Sequence, residues 1–192
     1  MSDLVQRVRE AVLASAEAKK RFAEQAAGDI ARAVEIVAAC LRSGGKVLLC
    51  GNGGSAADAQ HIAGELVGRF RRERPAFHAI ALTTDTSVMT AVANDYGFET
   101  IFARQVEGLG RPGDVLLAYS TSGNSPNVLK AIETARRLEM RVIGFAGATG
   151  GAMAAACDVC IQAPGPDTPT VQECHAAAGH TLCRFVEELL CP

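Results

Sequence analysis

The chain places a histidine and a glutamate four residues apart, directly behind a glycine-rich turn. In LLCGNGGSAADAQHIAGEL, residues 48–66, an apolar run breaks into glycines, and His61 and Glu65 follow. Residues four apart share one face of a helix, so these side chains can act as an acid–base pair or as ligands of one metal ion. The spacing alone is common on solvent-exposed helices. It is the strand-turn-helix context that favours a function.

The turn itself, Gly51-Asn52-Gly53-Gly54-Ser55, differs from the usual nucleotide-binding motifs. It lacks the Lys-Ser/Thr ending of a P-loop, and the next strand does not end in the acidic residue that a dinucleotide-binding fold uses. The sequence therefore supports neither ATP nor NAD as a ligand. Glycines let the backbone approach a small polar ligand, and the amide of Asn52 can bond to sugar hydroxyls.

A second polar loop has the composition of an anion site. Ser120-Thr121-Ser122-Gly123-Asn124-Ser125 supplies four hydroxyls just before a predicted helix that starts at Pro126. A helix N-terminus attracts anions through its unpaired amides and its partial positive charge. An ordinary helix cap needs one hydroxyl and not four, so the loop favours a phosphate site.

The last predicted helix carries further candidate ligands in an Ala- and Leu-rich stretch. Gln172 and His180 are eight residues apart, or roughly 12 Å along a helix, so they can share a ligand only if both side chains lean inward. One of them could instead serve a site completed by a neighbouring chain. His175 can be a surface residue of this helix or a ligand, and the sequence does not distinguish these alternatives.

Short apolar runs alternate with helical patterns, which predicts an α/β fold, a three-layer sandwich with a five-stranded parallel sheet covered by helices on both faces. The predicted strands are 46–50, 78–82, 114–119, 141–145 and 158–163. Predicted helices span 87–94, 99–108, 126–138, 150–156 and about 170–190, and residues 3–42 predict two more. We expect one domain over residues 1–192, made of an N-terminal helical segment, 1–43, and an α/β core, 44–192. Ligands of such sheets bind beyond the carboxyl ends of the strands.

Composition narrows the class of protein. The net charge is −2, and the basic cluster of Arg69, Arg71, Arg72 and Arg74 is interrupted by an acidic residue, which argues for a solvated helix end and against nucleic-acid binding. The sequence shows no long apolar run and no leader peptide, so we expect a cytoplasmic protein without a membrane partner. Seven cysteines in apolar stretches indicate free thiols, although the pair Cys157-x-x-Cys160 leaves a redox or zinc site as an alternative.

Four segments resemble the phosphoheptose isomerases of the sugar isomerase (SIS) superfamily. They are CGNGGSAADAQHIAGEL, the segment 93–98, GDVLLAYSTSGNSPNV and the helix from Gln172 to His180. The resemblance covers nearly the whole chain. It implies an SIS fold, a homotetramer, and isomerisation of sedoheptulose 7-phosphate, a phosphorylated seven-carbon sugar, to D-glycero-D-manno-heptose 7-phosphate, the first step toward the heptose of lipopolysaccharide and related glycans.

The resemblance also implies the site residues. Contacts to the phosphosugar are expected from Asn52, Gly53, Gly54, Ser55, Glu65, Asn94, Asp95, Ser120, Thr121, Ser122, Ser125 and Gln172. The ligands of a Zn²⁺ ion, seen in some members, correspond to His61, Glu65, Gln172 and His180. Two imidazoles, a carboxylate and an amide oxygen are an acceptable set for zinc.

The expected chemistry is a ketose to aldose conversion through an enediol. We assign Glu65 as the base that moves the proton between carbons and His180 as the acid that serves a substrate oxygen. A non-enzymatic group in the same superfamily, which binds the bacterial replication initiator, is the alternative. The resemblance implies that this group lacks the glutamate and the final histidine, and both are present here, which favours the enzyme.

Overall fold

The computed structural model describes residues 3–191 and contains one parallel sheet between two layers of helices. The strands are β1 Val47–Cys50, β2 Ala79–Ala81, β3 Val115–Ser120, β4 Arg141–Gly147 and β5 Val159–Ala163. The helices are α1 Asp3–Arg42, α2 Gly54–Val67, α3 Thr86–Tyr96, α4 Ile101–Leu109, α5 Pro126–Arg137, α6 Met153–Ala156 and α7 Thr168–Leu190, with a 3₁₀ turn Phe98–Thr100 before α4. The predicted five-stranded parallel α/β sandwich is confirmed.

The strand order is β2-β1-β3-β4-β5, and every neighbouring pair is parallel. Alternate residues of each strand face opposite layers, as the pleat requires. In β1, Val47 and Leu49 pack with α1, α2 and α7, whereas Leu48 and Cys50 pack with α4 and α5. Both faces are therefore covered, which explains why the central strands read as continuous apolar runs.

The N-terminal segment is one helix of 40 residues, so the prediction of two helices was wrong. The segment between the two predicted helices is rich in Ala, Glu and Lys, which are strong helix formers. Ala18, Phe22 and Ala26 also continue the buried stripe at intervals of four residues, and they pack on the rest of the core. Because small alanines occupy buried positions in the middle of the helix, its continuous buried stripe is hard to recognise in the sequence. Gly28 lies inside the helix, where it costs about 1 kcal/mol relative to Ala.

His175 of α7 is fully buried, so neither alternative raised by the sequence, surface residue or ligand, describes it. Its Nε2 lies 3.0 Å from the carbonyl oxygen of Ala146 at the end of β4, and its ring meets Phe145 edge to face. Burial lowers the pKa of His175 to about 4, although the bond to Ala146 opposes this shift. The imidazole is therefore neutral at physiological pH and donates its Nε2 hydrogen to the carbonyl.

Among the described residues, no helix is both long enough and apolar enough to cross a membrane.

This burial predicts a particular dependence of stability on pH. The unfolded chain protonates His175 below about pH 6.5, whereas the folded protein does so only near pH 4, so its contribution to stability is present above pH 6.5 and lost below it. We expect wild type to lose about 2 kcal/mol more than His175→Gln between pH 6.5 and 5, since one pKa unit corresponds to about 1.4 kcal/mol. Urea unfolding at several pH values measures this. Equal slopes for the two proteins would contradict the assignment.

Candidate active site

The two predicted ligand loops lie side by side at the carboxyl ends of β1 and β3. These strands are neighbours, and the chain order reverses between them, since β2 lies on one side of β1 and β3 on the other. Ligands of open parallel sheets bind at such a switch point. The loops border a cavity of about 310 Å³. Its lining consists of Asn52, Gly53, Gly54, Ser55, Tyr119, Ser120, Thr121, Ser125, Thr168 and Gln172.

Glycine is required at two positions of the first loop. Gly53 has a φ of +56°, which residues with a side chain rarely adopt. A β-carbon at Gly54 would lie only 2.5 Å from the amide nitrogen of Gln172. The absence of a side chain at residue 54 therefore makes room for Gln172, which reaches the cavity from α7.

The hydroxyls of the second loop are turned toward one another in front of α5. Ser125 is the N-cap residue of that helix, yet its Oγ lies 2.8 Å from the Oγ of Ser120 and does not cap the helix amides among the described contacts. The Oγ of Ser122 lies 3.3 Å from the same Ser120 oxygen. The loop thus combines clustered hydroxyls with the positive end of a helix, and this combination suits a phosphate group.

His61, Glu65 and His180 form a compact cluster on the adjoining helices. The Nε2 atoms of His61 and His180 are 2.6 Å apart, and Nε2 of His61 lies 3.6 Å from a carboxylate oxygen of Glu65. One potential ligand atom from each residue lies within 4.8 Å of the others. The side chain of His61 is half exposed and that of Glu65 is partly buried, so the cluster remains open to solvent.

The cluster has the chemistry of a zinc site. Two imidazole nitrogens and a carboxylate oxygen are typical ligands of a catalytic zinc ion. At a nitrogen–nitrogen distance of 2.6 Å one ring must donate a hydrogen to the other, and a cation could replace that hydrogen. Ligands of a tetrahedral zinc ion lie roughly 3.4 Å from each other, so the two rings would separate by less than about 1 Å to bind it. The residues therefore fit the metal.

Arg74 fastens the end of the helix that carries His61 and Glu65. Its guanidinium group donates to the backbone carbonyl oxygens of Glu65 and Leu66, at 2.9 Å each. These carbonyls belong to the last turn of α2, whose carbonyl groups lack partners within the helix, and that of Leu66 also accepts from the backbone N–H of Phe77 at 3.1 Å. A cation at the C-terminus of a helix is also favoured by the helix dipole. Arg74 thus caps the C-terminus of α2 just after His61 and Glu65.

Glu187 connects Arg74 to the helix that carries His180. Its carboxylate accepts hydrogen bonds from Nε of Arg74 at 3.0 Å and from the three backbone amides of residues 70–72, at 2.7 to 3.0 Å. Both side chains are only 2% exposed. Burial by itself would raise the pKa of Glu187, but the amides and Arg74 outweigh burial, and the pKa is lowered. The ion pair therefore holds α2 and α7 in register.

Asp58 lies one turn before His61 on α2, and burial raises the pKa of its carboxyl group. The nearby His61 partly opposes that rise. Within the described part of the chain, one carboxylate oxygen of Asp58 and the hydroxyl of Tyr119 are both buried without a hydrogen-bond partner. Polar groups therefore continue behind the cavity into the core.

The structure gathers most of the predicted site residues but not all of them. Asn94 and Asp95 lie on the exposed helix α3, where the amide of Asn94 donates to the carboxylate of Asp95 at 2.8 Å, and they do not line the cavity. Ser122 of the second loop and Glu65, further along α2, are also outside the lining. Their contacts to substrate, and the part of Gln172 as a zinc ligand, stay predictions. Tyr119 and Thr168 also line the cavity and were not predicted. The position of Tyr119 near the carboxyl end of β3 was a signal that could have identified it.

The structure also shows the surroundings of the arginine cluster and of the Cys157-x-x-Cys160 pair. The arginine cluster follows α2, which ends at Val67; three of its members are exposed, as expected, but the side chain of Arg74 is buried against Glu187. The Cys157-x-x-Cys160 pair consists of free thiols, as do the other five cysteines. Burial raises the pKa of Cys157 to about 12 and also raises that of Cys160, so both thiols are protonated and poorly suited to metal or redox chemistry.

Comparison with known proteins agrees with this geometry. The family model of the SIS domain matches residues 13–147. Phosphoheptose isomerases of Rhodospirillum rubrum and Aquifex aeolicus are 61% and 51% identical, the first over 84% of this chain and 86% of its own length, the second over 98% of both. The solved phosphoheptose isomerase structure from Neisseria gonorrhoeae superposes with a TM-score of 0.91 at 43% identity, over 96% of this chain and 99% of that one.

The fold, the loop after β3 and the family match define an SIS-domain protein. Within that class, the chain belongs to the phosphoheptose isomerase family, as its identity to the Rhodospirillum and Aquifex proteins over most of both chains shows. The alternative of a non-enzymatic SIS protein that binds a replication initiator is not supported by these relatives.

The buried ion pair predicts a large and pH-dependent effect of one substitution. Glu187→Gln leaves the charge of Arg74 buried and unpaired, and we expect a loss of about 3–5 kcal/mol in the free energy of unfolding at pH 7. Because the pKa of Glu187 is lowered from 4.5, its contribution is complete above pH 4.5 and is lost as the pH falls through the lowered value. The gap to wild type should therefore narrow below pH 4.5 in urea unfolding experiments.

The adjacent Glu188 provides the control for this experiment. It is 37% exposed and pairs with Arg184 one turn away on the same helix. Exposed pairs of this kind contribute little, so Glu188→Gln should change stability by less than about 0.5 kcal/mol. Similar losses in both variants would show that the buried pair has no special role.

Proposed function

We propose that the protein isomerises sedoheptulose 7-phosphate to D-glycero-D-manno-heptose 7-phosphate, as the first step toward the heptose of lipopolysaccharide or related glycans. The relatives named above are phosphoheptose isomerases, and they match this chain over most of its length and of their own. The observation that supports it most directly is the position of Glu65 and His180. They come from different helices, α2 and α7, whose N-terminal ends line the cavity, and they meet further along the same two helices.

Substrate binding divides between the two loops. The phosphate is assigned to the hydroxyls of Ser120, Thr121 and Ser125 at the start of α5, where it gains charge-assisted hydrogen bonds. The sugar chain then extends along the glycines of the first loop, where Gln172 and Asn52 can bond to hydroxyls. Asn94, Asp95, Ser55 and Ser122 complete the proposed set of contacts. Anchoring the phosphate fixes the distance to the reacting carbons at the other end of the sugar.

The reaction moves one proton between neighbouring carbons. Glu65 removes the proton from C1 of the ketose, the electrons of that bond form the enediol double bond, and the carbonyl oxygen at C2 receives a proton. The same carboxylic acid then returns a proton to C2, while the C1 hydroxyl loses its own proton and becomes the aldehyde. His180 is the group assigned to deliver and collect the protons on oxygen.

We also propose that the cluster binds one Zn²⁺ ion per subunit through His61, Glu65 and His180, with Gln172 as the fourth ligand. A bound zinc ion would polarise the substrate carbonyl and stabilise negative charge on its oxygen. A carboxylate bound to a metal ion would not be free to act as a base, so the two roles proposed for Glu65 would compete.

The same proposal extends to assembly and location. Residues 1–192 form a single SIS domain that assembles as a homotetramer in the cytoplasm, without nucleic-acid or membrane partners. Large apolar side chains exposed on the first half of α1 support association. They are Leu4, Val8, Val12 and Leu13. An apolar groove of about 490 Å³ between α1 and α7, which Phe185 and Leu189 line, supports it as well.

The central test is the activity of purified protein and of Glu65→Gln toward sedoheptulose 7-phosphate, followed by NMR of the sugar. Wild type should form the aldose. The variant should lose activity by about 10²–10⁴-fold, because a carboxamide cannot accept the proton, while its fold is retained. Glu107→Gln, a change at an exposed ion pair on α4, is the matched control and should remain active. An active Glu65→Gln enzyme would remove the proposed base, and inactive wild type would remove the function.

The zinc proposal has a test that is independent of activity. Isothermal titration of metal-free protein with Zn²⁺ should give one site per chain, and zinc should raise the midpoint of thermal unfolding because it binds the folded state. His61→Ala should abolish both effects. His78→Ala, a histidine outside the cluster, should leave them unchanged. Equal zinc binding by His61→Ala and wild type would count against the assigned ligands.

A further inference from the structure

The structure assigns to Asn127 the role of a positioning residue for Asn52, the amide that faces the sugar cavity. Asn127 belongs to the first turn of α5, and it is only 2% exposed. The two side chains form a reciprocal pair. Nδ2 of Asn52 donates to Oδ1 of Asn127, and Nδ2 of Asn127 donates to Oδ1 of Asn52, at 2.8 Å in both directions.

A third hydrogen bond determines which way both amides point. The backbone N–H of Val128 donates to Oδ1 of Asn127 at 2.9 Å. An amide oxygen must occupy that position, since the NH₂ group has no lone pair to accept the hydrogen. Asn127 therefore directs its NH₂ group toward Asn52, and the side-chain oxygen of Asn52 accepts that hydrogen bond. The orientation of a cavity-lining amide is set by a backbone hydrogen at the start of a helix.

This arrangement limits what Asn52 can offer to a ligand. A carboxamide has two amide hydrogens and two lone pairs, and the pair with Asn127 uses one of each. One hydrogen and one lone pair remain, each in a fixed direction. We infer that Asn52 recognises a sugar hydroxyl, which both donates and accepts, and that Asn127 makes this recognition directional without touching the sugar itself.

The pair also connects the two halves of the site. Asn52 lies in the loop after β1, which carries the glycines, and Asn127 lies directly behind Ser125 in the loop after β3. Asn52 and Asn127 are 75 residues apart in the sequence, and their side-chain bonds add a link beyond the ladder that pairs β1 with β3. A phosphate held by one loop and hydroxyls held by the other then stay in register.

The inference rests on the proposed isomerase function, and a double-mutant cycle tests it. Asn127→Ala should lower kcat/KM for sedoheptulose 7-phosphate about 10-fold, mainly by raising KM, since a neutral hydrogen bond is lost. Asn52→Ala should have a similar effect. If Asn127 acts through Asn52, the double variant should be no worse than Asn52→Ala alone. Multiplied losses of about 100-fold would show that the two residues act independently.

Two further variants separate positioning from a general structural role. Thr134→Val removes another buried polar group from α5, two turns beyond Asn127 and outside the cavity lining, and should leave both kinetic constants unchanged even if it lowers the unfolding temperature. Asn127→Leu keeps the shape of the side chain while it removes every hydrogen bond, which protects against a failure of Asn127→Ala to fold. In a crystal structure of Asn127→Leu the Asn52 amide should be rotated or disordered.

The structural result does not depend on activity. An Asn52 side chain that keeps its native orientation in the Asn127→Leu crystal would overturn the inference, even if the enzyme proposal stands. Inactive wild type would instead overturn the proposed function, while a displaced Asn52 would still support the positioning role.

Discussion

The ion pair between Arg74 and Glu187 is the constraint on which the arrangement of the site depends. His61 and Glu65 project from one helix and His180 from another, and helices packed on a sheet can slide or rotate with little change in buried area. A buried carboxylate that holds one guanidinium group and three backbone amides does not tolerate such movement, because each broken bond leaves an unpaired polar group in the core. The pair thus fixes the position of α2 relative to α7.

The remainder of the site follows the same rule of fixing groups that come from distant parts of the sequence. Gly54 leaves room for a glutamine from the last helix, and the paired asparagines join loops that belong to different strands. In each case a side chain is positioned by groups outside its own element. The two loops at the switch point of the sheet and the His61–Glu65–His180 cluster are consequently each positioned by contacts between separate elements.

Local sequence patterns were sufficient to predict the strands of the sheet and the positions of the two loops. Short continuous apolar runs identified the five parallel strands, and the glycine turn and the hydroxyl-rich loop were assigned to the carboxyl ends of the correct strands. The convergence of His61, Glu65 and His180 could be proposed from helical spacing and a family resemblance. The two-helix error at the N-terminus came from a local signal as well, since alanines concealed a buried stripe that larger residues would have revealed.

Pairings between distant residues could not be predicted in this way. Arg74 lies in a run of arginines whose composition suggests solvent exposure, and only its contact with a glutamate 113 residues further along buries it. Asn127 and His175 likewise acquire their partners from another element. A single sequence contains the residue types but not the distances, so the partner of a polar side chain remains open until the fold is known.

The contact between the hydroxyls of Ser120 and Ser125 has a consequence for selectivity. One of these hydroxyls donates to the other, so a phosphate bound in the proposed manner would replace this hydrogen bond and gain only the difference in strength. A neutral group that could merely match that bond would gain little from it. The proposed loop therefore favours a charged ligand, whose hydrogen bonds are stronger than the one it replaces.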